Sequence, residues 1–294
     1  MPPASLSLDV PVRPSPGEIA GMLDQLPGSP TVLPSLSTVA HEEDVTLQEL
    51  GRLLRLDPGL TARVLRAGNQ SGQSRGEYCS SVEEAVNLLG SNYIATLINR
   101  VAKAQVLARP VSLYGLDAEE LWRWSVSCAL SAEILAEQTG CDVELAYTVG
   151  LLHAAGIVAI DEWALQRAPS LLFMPRDGLC DFVASERALL GCTQAEVGAA
   201  LLSEWGFPAM VVDPIRWQNA PYGSSGYTHM ACLLNAAKWL RSVVCAEDDF
   251  RAPPLPDAVV LKPLRLTPER LTRLVVEVRI RLGEVRNRIQ AVAA

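Results

Sequence analysis

At Thr46-x-x-Glu49, Ser81-x-x-Glu84, Asp117-x-x-Glu120 and Thr193-x-x-Glu196 a small polar residue is followed three positions later by Glu. That is the spacing of a capping box, in which two side chains satisfy the free N–H groups at the start of an α-helix. Asp57-Pro58 adds an N-cap with proline at the first helical position, Pro208 and Thr267-Pro268-Glu269 open further helices, and Gly68 and Gly90 stand where helices should stop. Between these signals the apolar residues recur at helical spacing: Val82, Ala85, Val86 and Leu89 fall on one face. No strand-rich region and no internal repeat emerges, so the expected fold class is all-α.

At 294 residues, 49% hydrophobic and 20% charged, the chain can bury a substantial core. A net charge of −8 argues against a nucleic-acid partner and against docking on an anionic membrane. The seven cysteines, Cys79, Cys128, Cys141, Cys180, Cys192, Cys232 and Cys245, include no C-x-x-C pair and read as reduced thiols, most of them buried. The proline-punctuated start has no secretory pattern, and no uncharged apolar run approaches the roughly 20 residues that cross a bilayer. A reducing cytoplasm is the expected compartment. The expected organisation is a loose tail over 1–16, a domain over 17–245 divided at 115/116 into two helical parts, a proline-rich loop over 246–266, and a terminal helix over 267–294.

Candidate chemistry is sparse. Gly72-Gln73-Ser74-Arg75-Gly76 matches the G-x-S-x-G nucleophile elbow, but an elbow follows a strand, whereas this segment follows a helix and leads into a polar loop. An ordinary glycine-serine loop is the better reading. Phosphate-binding and dinucleotide-binding glycine motifs and H-E-x-x-H are missing from the sequence. In the small-residue segment containing Ala146, Gly150 and Ala154, four apart and suited to close helix packing, stands Gly150-Leu151-Leu152-His153-Ala154-Ala155-Gly156.

That segment resembles the G-L-L-H-D-I-G sequence of HD-superfamily phosphohydrolases, in which adjacent His and Asp bind metal. The likeness widens with Leu33-Pro34-Ser35-Leu36, Leu56-Asp57-Pro58-Gly59-Leu60-Thr61-Ala62-Arg63-Val64-Leu65-Arg66, Asn69, the Ser81–Gly90 helix, Leu121-Trp122, Glu196–Leu202 and Trp205-Gly206-Phe207-Pro208. On these motifs the chain, over roughly residues 25–245, is similar to the HDOD family of HD-related output domains. The resemblance implies an N-terminal helical subdomain (17–115) on an HD-like helical core (116–245). It also implies a non-catalytic role in bacterial signal transduction, beside cyclic-di-GMP, kinase or receiver modules. At the positions where catalytic relatives tend to carry ligands, this chain is expected to have His153, Ala154, Trp124, Gln194, Gln218, Asn219 and Lys238. Most are poor ligands, and an ammonium repels a cation. No catalytic residue, metal or cofactor is therefore assigned, and these seven positions are expected to mark a vestigial site.

Within that site His153 reads either as a core histidine with a hydrogen-bonded nitrogen or as part of a ligand pocket with Trp124, Gln194 and Gln218. Trp217, Trp122 and Trp124 could stack on a base, or pack as core. The terminal helix carries Leu271, Leu274, Val275, Val278, Leu282, Val285 and Ile289 as one apolar stripe and is locally basic. If its own domain leaves that stripe uncovered, the helix offers a surface to a partner or to a second copy. With no room expected for an attached catalytic domain, the leading reading is a stand-alone signalling adaptor that works by protein contact. The alternative is a nucleotide or small-molecule sensor using the old pocket, and residual phosphohydrolase activity ranks last.

Overall fold

Each capping box read above opens a helix in the computed structural model, which describes residues 13–40, 46–72, 78–104, 109–169, 171, 182–246 and 253–293. The first part holds α1 (Pro16–Ala20), α2 (Leu33–Val39), α3 (Leu47–Leu54), α4 (Pro58–Gly72), α5 (Val82–Leu89) and α6 (Ser91–Ala104). The second holds α7 (Ala118–Thr139), α8 (Val143–Leu152), α9 (Ala155–Arg167), α10 (Phe182–Leu190), α11 (Gln194–Glu204), α12 (Ala209–Arg216) and α13 (Thr228–Cys245). Two more follow, α14 (Ala258–Leu261) and α15 (Pro268–Ala293). Among the described residues there is no strand, only an isolated antiparallel bridge between Val111 and Leu116.

The structure adjusts several boundaries. A capping box of Ser15 and Glu18 starts α1 inside the expected tail, and Ile19 and Ala20 of that helix are buried. Gly68 does not end a helix: α4 runs on to Gly72, and Gly68 is a close-packing position, where a Cβ would stand 3.1 Å from both Cys79 Sγ and Ala85 Cβ. The proline-rich loop contains α14. Of the G-x-S-x-G segment only Gly72 is described, as the last residue of α4, and positions 73–76 lie outside the described residues. Cys180 lies outside them too. The six described cysteines are free, Cys79, Cys128, Cys192 and Cys232 buried and Cys141 and Cys245 half-buried.

The two parts are joined where α3 ends. Its last carbonyls lack helical partners, and side chains of the second part supply them: Trp122 Nε1 donates to the Leu56 carbonyl (2.8 Å) and Tyr147 Oη to that of Arg55 (3.0 Å). Arg55 itself stacks on Tyr147 and pairs with Glu133 at 2.8 Å. Asp57, fully buried, caps α4 through the Leu60 N–H (2.9 Å) and also accepts from Ser29 N–H (2.8 Å).

The terminal helix is not adhesive through its stripe. Leu271, Leu274, Val275, Val278, Leu282, Val285 and Ile289 are all buried, against α2, α7 and α13. The uncovered stripe on which a partner or second copy depended is thus taken by the chain's own core. The stretch Val143–Arg167 is long and apolar enough to span a bilayer, but 83% of its apolar window is buried within the fold.

Backbone proximity sets the packing around α8 and α9. A Cβ on Gly150 would stand 2.8 Å from Ala129 Cα, and one on Gly156 would stand 1.9 Å from the Gln194 carbonyl oxygen. Glycine lets α8 lie on α7, and α9 on α11, at distances no larger residue allows. We expect Gly156→Ala to lower the unfolding free energy by about 1–3 kcal/mol or more, measured by urea denaturation, because backbone rather than a flexible side chain must give way.

Candidate functional site

The sequence places His153 inside a helix; the structure places it at a break. It is the C-cap of α8, Ala154 leaves helical geometry at φ −100°, ψ 7°, and α9 begins at Ala155. The break turns the imidazole back on its own helix, so that Nδ1 lies 2.7 Å from the Gly150 carbonyl. A carbonyl only accepts, hence Nδ1 carries the proton. The lone pair of Nε2 is then free to accept, and Arg241 Nη1 donates to it at 3.1 Å. Both ring nitrogens are engaged and the ring is neutral: burial, then the positive Arg241 and Lys238, hold its pKa well below the ordinary histidine value.

The other expected residues divide. Gln218, fully buried, donates from Nε2 to the carbonyls of His153 (3.0 Å) and Ile215 (2.9 Å), which ties α12 to the break. Asn219 next to it is exposed and accepts from Lys238 Nζ. Trp124 lies under Arg241, whose guanidinium carbon is 4.3 Å from the ring centre. His153, Trp124, Gln218, Asn219 and Lys238 therefore form one cluster, linked by Arg241. Gln194 borders it through its backbone, its N–H donating to Glu186 Oε2 at 2.8 Å. Ala154 does not join. It lines a narrow apolar cavity of about 40 Å³ with Leu121, Trp122, Leu151 and Pro58. Of the other tryptophans considered for stacking, Trp122 is the rivet to Leu56, and Trp217 is covered by the turn at Gly223, where a Cβ would meet its ring at 2.0 Å.

Sequence reasoning missed Arg241, Glu186, Tyr114 and Phe182. Glu186 is fully buried, with one oxygen on Tyr114 Oη (2.8 Å) and the other on the Gln194 N–H, and burial pushes its carboxyl up to about 7. Phe182 fills the angle between Tyr114 and Trp124, at centroid distances of 5.3 and 6.4 Å. Lys238-x-x-Arg241 was a legible signal: two bases three apart place both cations on one face of the otherwise apolar α13.

A metal does not fit this donor set. The one free imidazole lone pair is committed to Arg241, Lys238 is the neighbouring charge, and Ala154 faces elsewhere. Among the described residues no group of three or more His, Cys, Asp or Glu is arranged to hold a metal ion.

The structure is thus an all-helical domain with a buried, cation-lined histidine at the break between two central helices. The chain belongs to the HDOD family, whose model matches residues 26–221. It is 25% identical over 212 residues to an uncharacterized protein of Treponema pallidum, covering 71% of this chain and 40% of that protein, so the chain spans about two-fifths of the length of that relative. Among solved structures the MmoQ response regulator of Methylococcus capsulatus is similar at TM-score 0.67 and 24% identity, covering 86% of this chain and 98% of that one. A virulence factor of Campylobacter jejuni is similar at TM-score 0.64 and 18% identity, covering 78% and 82%. At these identities both show the fold.

Two measurements check the tautomer. Long-range ¹⁵N NMR should show His153 as neutral with the proton on Nδ1 at pH 7 and still neutral below pH 6. In unfolding experiments the unfolded chain gains a proton below about pH 6.5 that folded His153 refuses. Wild type should then lose stability relative to His153→Gln as pH falls, by up to about 1.4 kcal/mol per unit. The comparison with the variant removes the opposing contribution of Glu186, which both proteins share.

Proposed function

We propose that this protein is a non-catalytic regulatory module of bacterial signal transduction that acts by protein contact in the cytoplasm. The observation that carries the non-catalytic part is the Arg241–His153 hydrogen bond: the nitrogen that would ligate a metal accepts from a guanidinium instead. Membership of the HDOD family supports the signalling part, since the resemblance implies output domains that work with cyclic-di-GMP, kinase or receiver proteins. The exposed face of α15, where Val276 and Ile280 stand outside the buried stripe, is a surface such a partner could use.

Purified protein should carry no stoichiometric transition metal by mass spectrometry and should not hydrolyse mono- or diester phosphates with added Mn²⁺; activity with bound metal would overturn the reading. Ala154→Asp should remain metal-free as well, because its carboxylate would enter the apolar cavity beside Trp122 while Arg241 still holds His153. Affinity capture from the native host should enrich kinases, receivers or cyclic-di-GMP enzymes, and recovery of none of these would remove the adaptor role.

A further inference from the structure

Among the described residues, no carboxylate is hydrogen-bonded to either cation of the His153 cluster. Arg241 gives one N–H to a neutral imidazole and covers the Trp124 ring, and its Nε is buried without a hydrogen-bond partner. Lys238 gives one N–H to the neutral amide of Asn219. Among the described residues neither forms an ion pair, although elsewhere Arg55, Arg109, Arg187 and Arg281 each find carboxylates. Half-buried cations without anions are costly, and a chain of net charge −8 has carboxylates to spare. Glu186 acts on Lys238 only through space, its two oxygens being hydrogen-bonded to Tyr114 and Gln194 rather than to either cation.

Asn219 is exposed, Lys238 and Arg241 are half-buried, and Gln218 and His153 are buried. The arrangement is a fork and a point charge on one helix face, with an exposed amide on the point charge and, among the described residues, no carboxylate oxygen hydrogen-bonded to either cation. Those are the donors that hold a tetrahedral oxyanion. From this geometry we infer that Lys238 and Arg241 form a binding site for a phosphate-class anion, either free phosphate or the phosphoryl group of a small phosphomonoester. Burial and the adjacent Arg241 push the Lys238 ammonium down to about 7, with Glu186 opposing, as befits a cation short of negative charge. The inference goes beyond the protein-contact reading and does not depend on it: a failed partner capture leaves the site untouched.

The test is calorimetric titration of the full chain at constant ionic strength with inorganic phosphate and, separately, phenyl phosphate, alongside intrinsic fluorescence, since Trp124 lies against Arg241. Saturable binding of either probe is expected, with no response to chloride at equal ionic strength. A higher affinity for phenyl phosphate assigns the site to esters, and equal affinity assigns it to the free anion. Lys238→Met and Arg241→Met should each weaken binding about tenfold or more. Should those variants fail to fold, Asn219→Asp at the exposed amide places a carboxylate beside Lys238 and should weaken binding comparably. The absence of saturable binding to wild type up to about 10 mM overturns the inference, as does unchanged affinity in the variants that fold.

Discussion

The interruption between α8 and α9 is the constraint from which the site follows. A continuous helix would use the His153 carbonyl in the backbone ladder. The break at Ala154 instead directs Nδ1 to the Gly150 carbonyl and leaves the His153 carbonyl to Gln218. It is held from outside: Gly150 lets α8 contact α7 at backbone distance, and Gly156 lets α9 contact the start of α11. Two glycines on either side of one histidine thus fix where that histidine looks, and every other member of the cluster is arranged around the result.

The cluster answers a physical problem with charges of its own. Burying an imidazole favours its neutral form, and a neutral imidazole can be a hydrogen-bond acceptor for a guanidinium. Arg241 uses that acceptor and stands over the Trp124 ring, an arrangement in which the ring's quadrupole offsets part of the cation's lost hydration. Lys238, with the same environment but no ring beneath it, shows the strain in its depressed basicity. Glu186 is the mirror case on the border of the site: buried and hydrogen-bonded, its carboxyl is raised, so that the local charge is positive near neutrality.

Much of the fold was legible because capping is local chemistry. Thr46, Ser81, Asp117 and Thr193 each bind the backbone three residues on, as their spacing implies, and the stripe of α15 is buried as its periodicity implies. What was not legible is where tertiary contact overrides local grammar. Gly68 looks like a stop, yet is a packing position; His153 lies in a helical run, yet ends a helix; Ala154 is adjacent in sequence to His153, yet faces the opposite side. The cluster was half visible. Motif order pointed to Trp124, Gln218, Asn219 and Lys238, but Arg241, Glu186 and Tyr114 belong to no motif, and Tyr114 and Glu186 meet across 72 residues of chain.

The basic pair also bears on how a metal ion would fare beside His153. Two unit charges about 4 Å apart at an effective dielectric near 20 interact by about 4 kcal/mol, and a divalent ion against a single cation by about twice that. A dication brought to His153 Nε2 would meet Arg241 at hydrogen-bond distance from the same nitrogen, with Lys238 near enough to depress the histidine's basicity. An added carboxylate would have to offset that repulsion and also the loss of the Arg241–His153 hydrogen bond. The same field that repels a dication attracts a dianion. Lys238 and Arg241 therefore set the charge preference of the position, two cations carried on one face of α13.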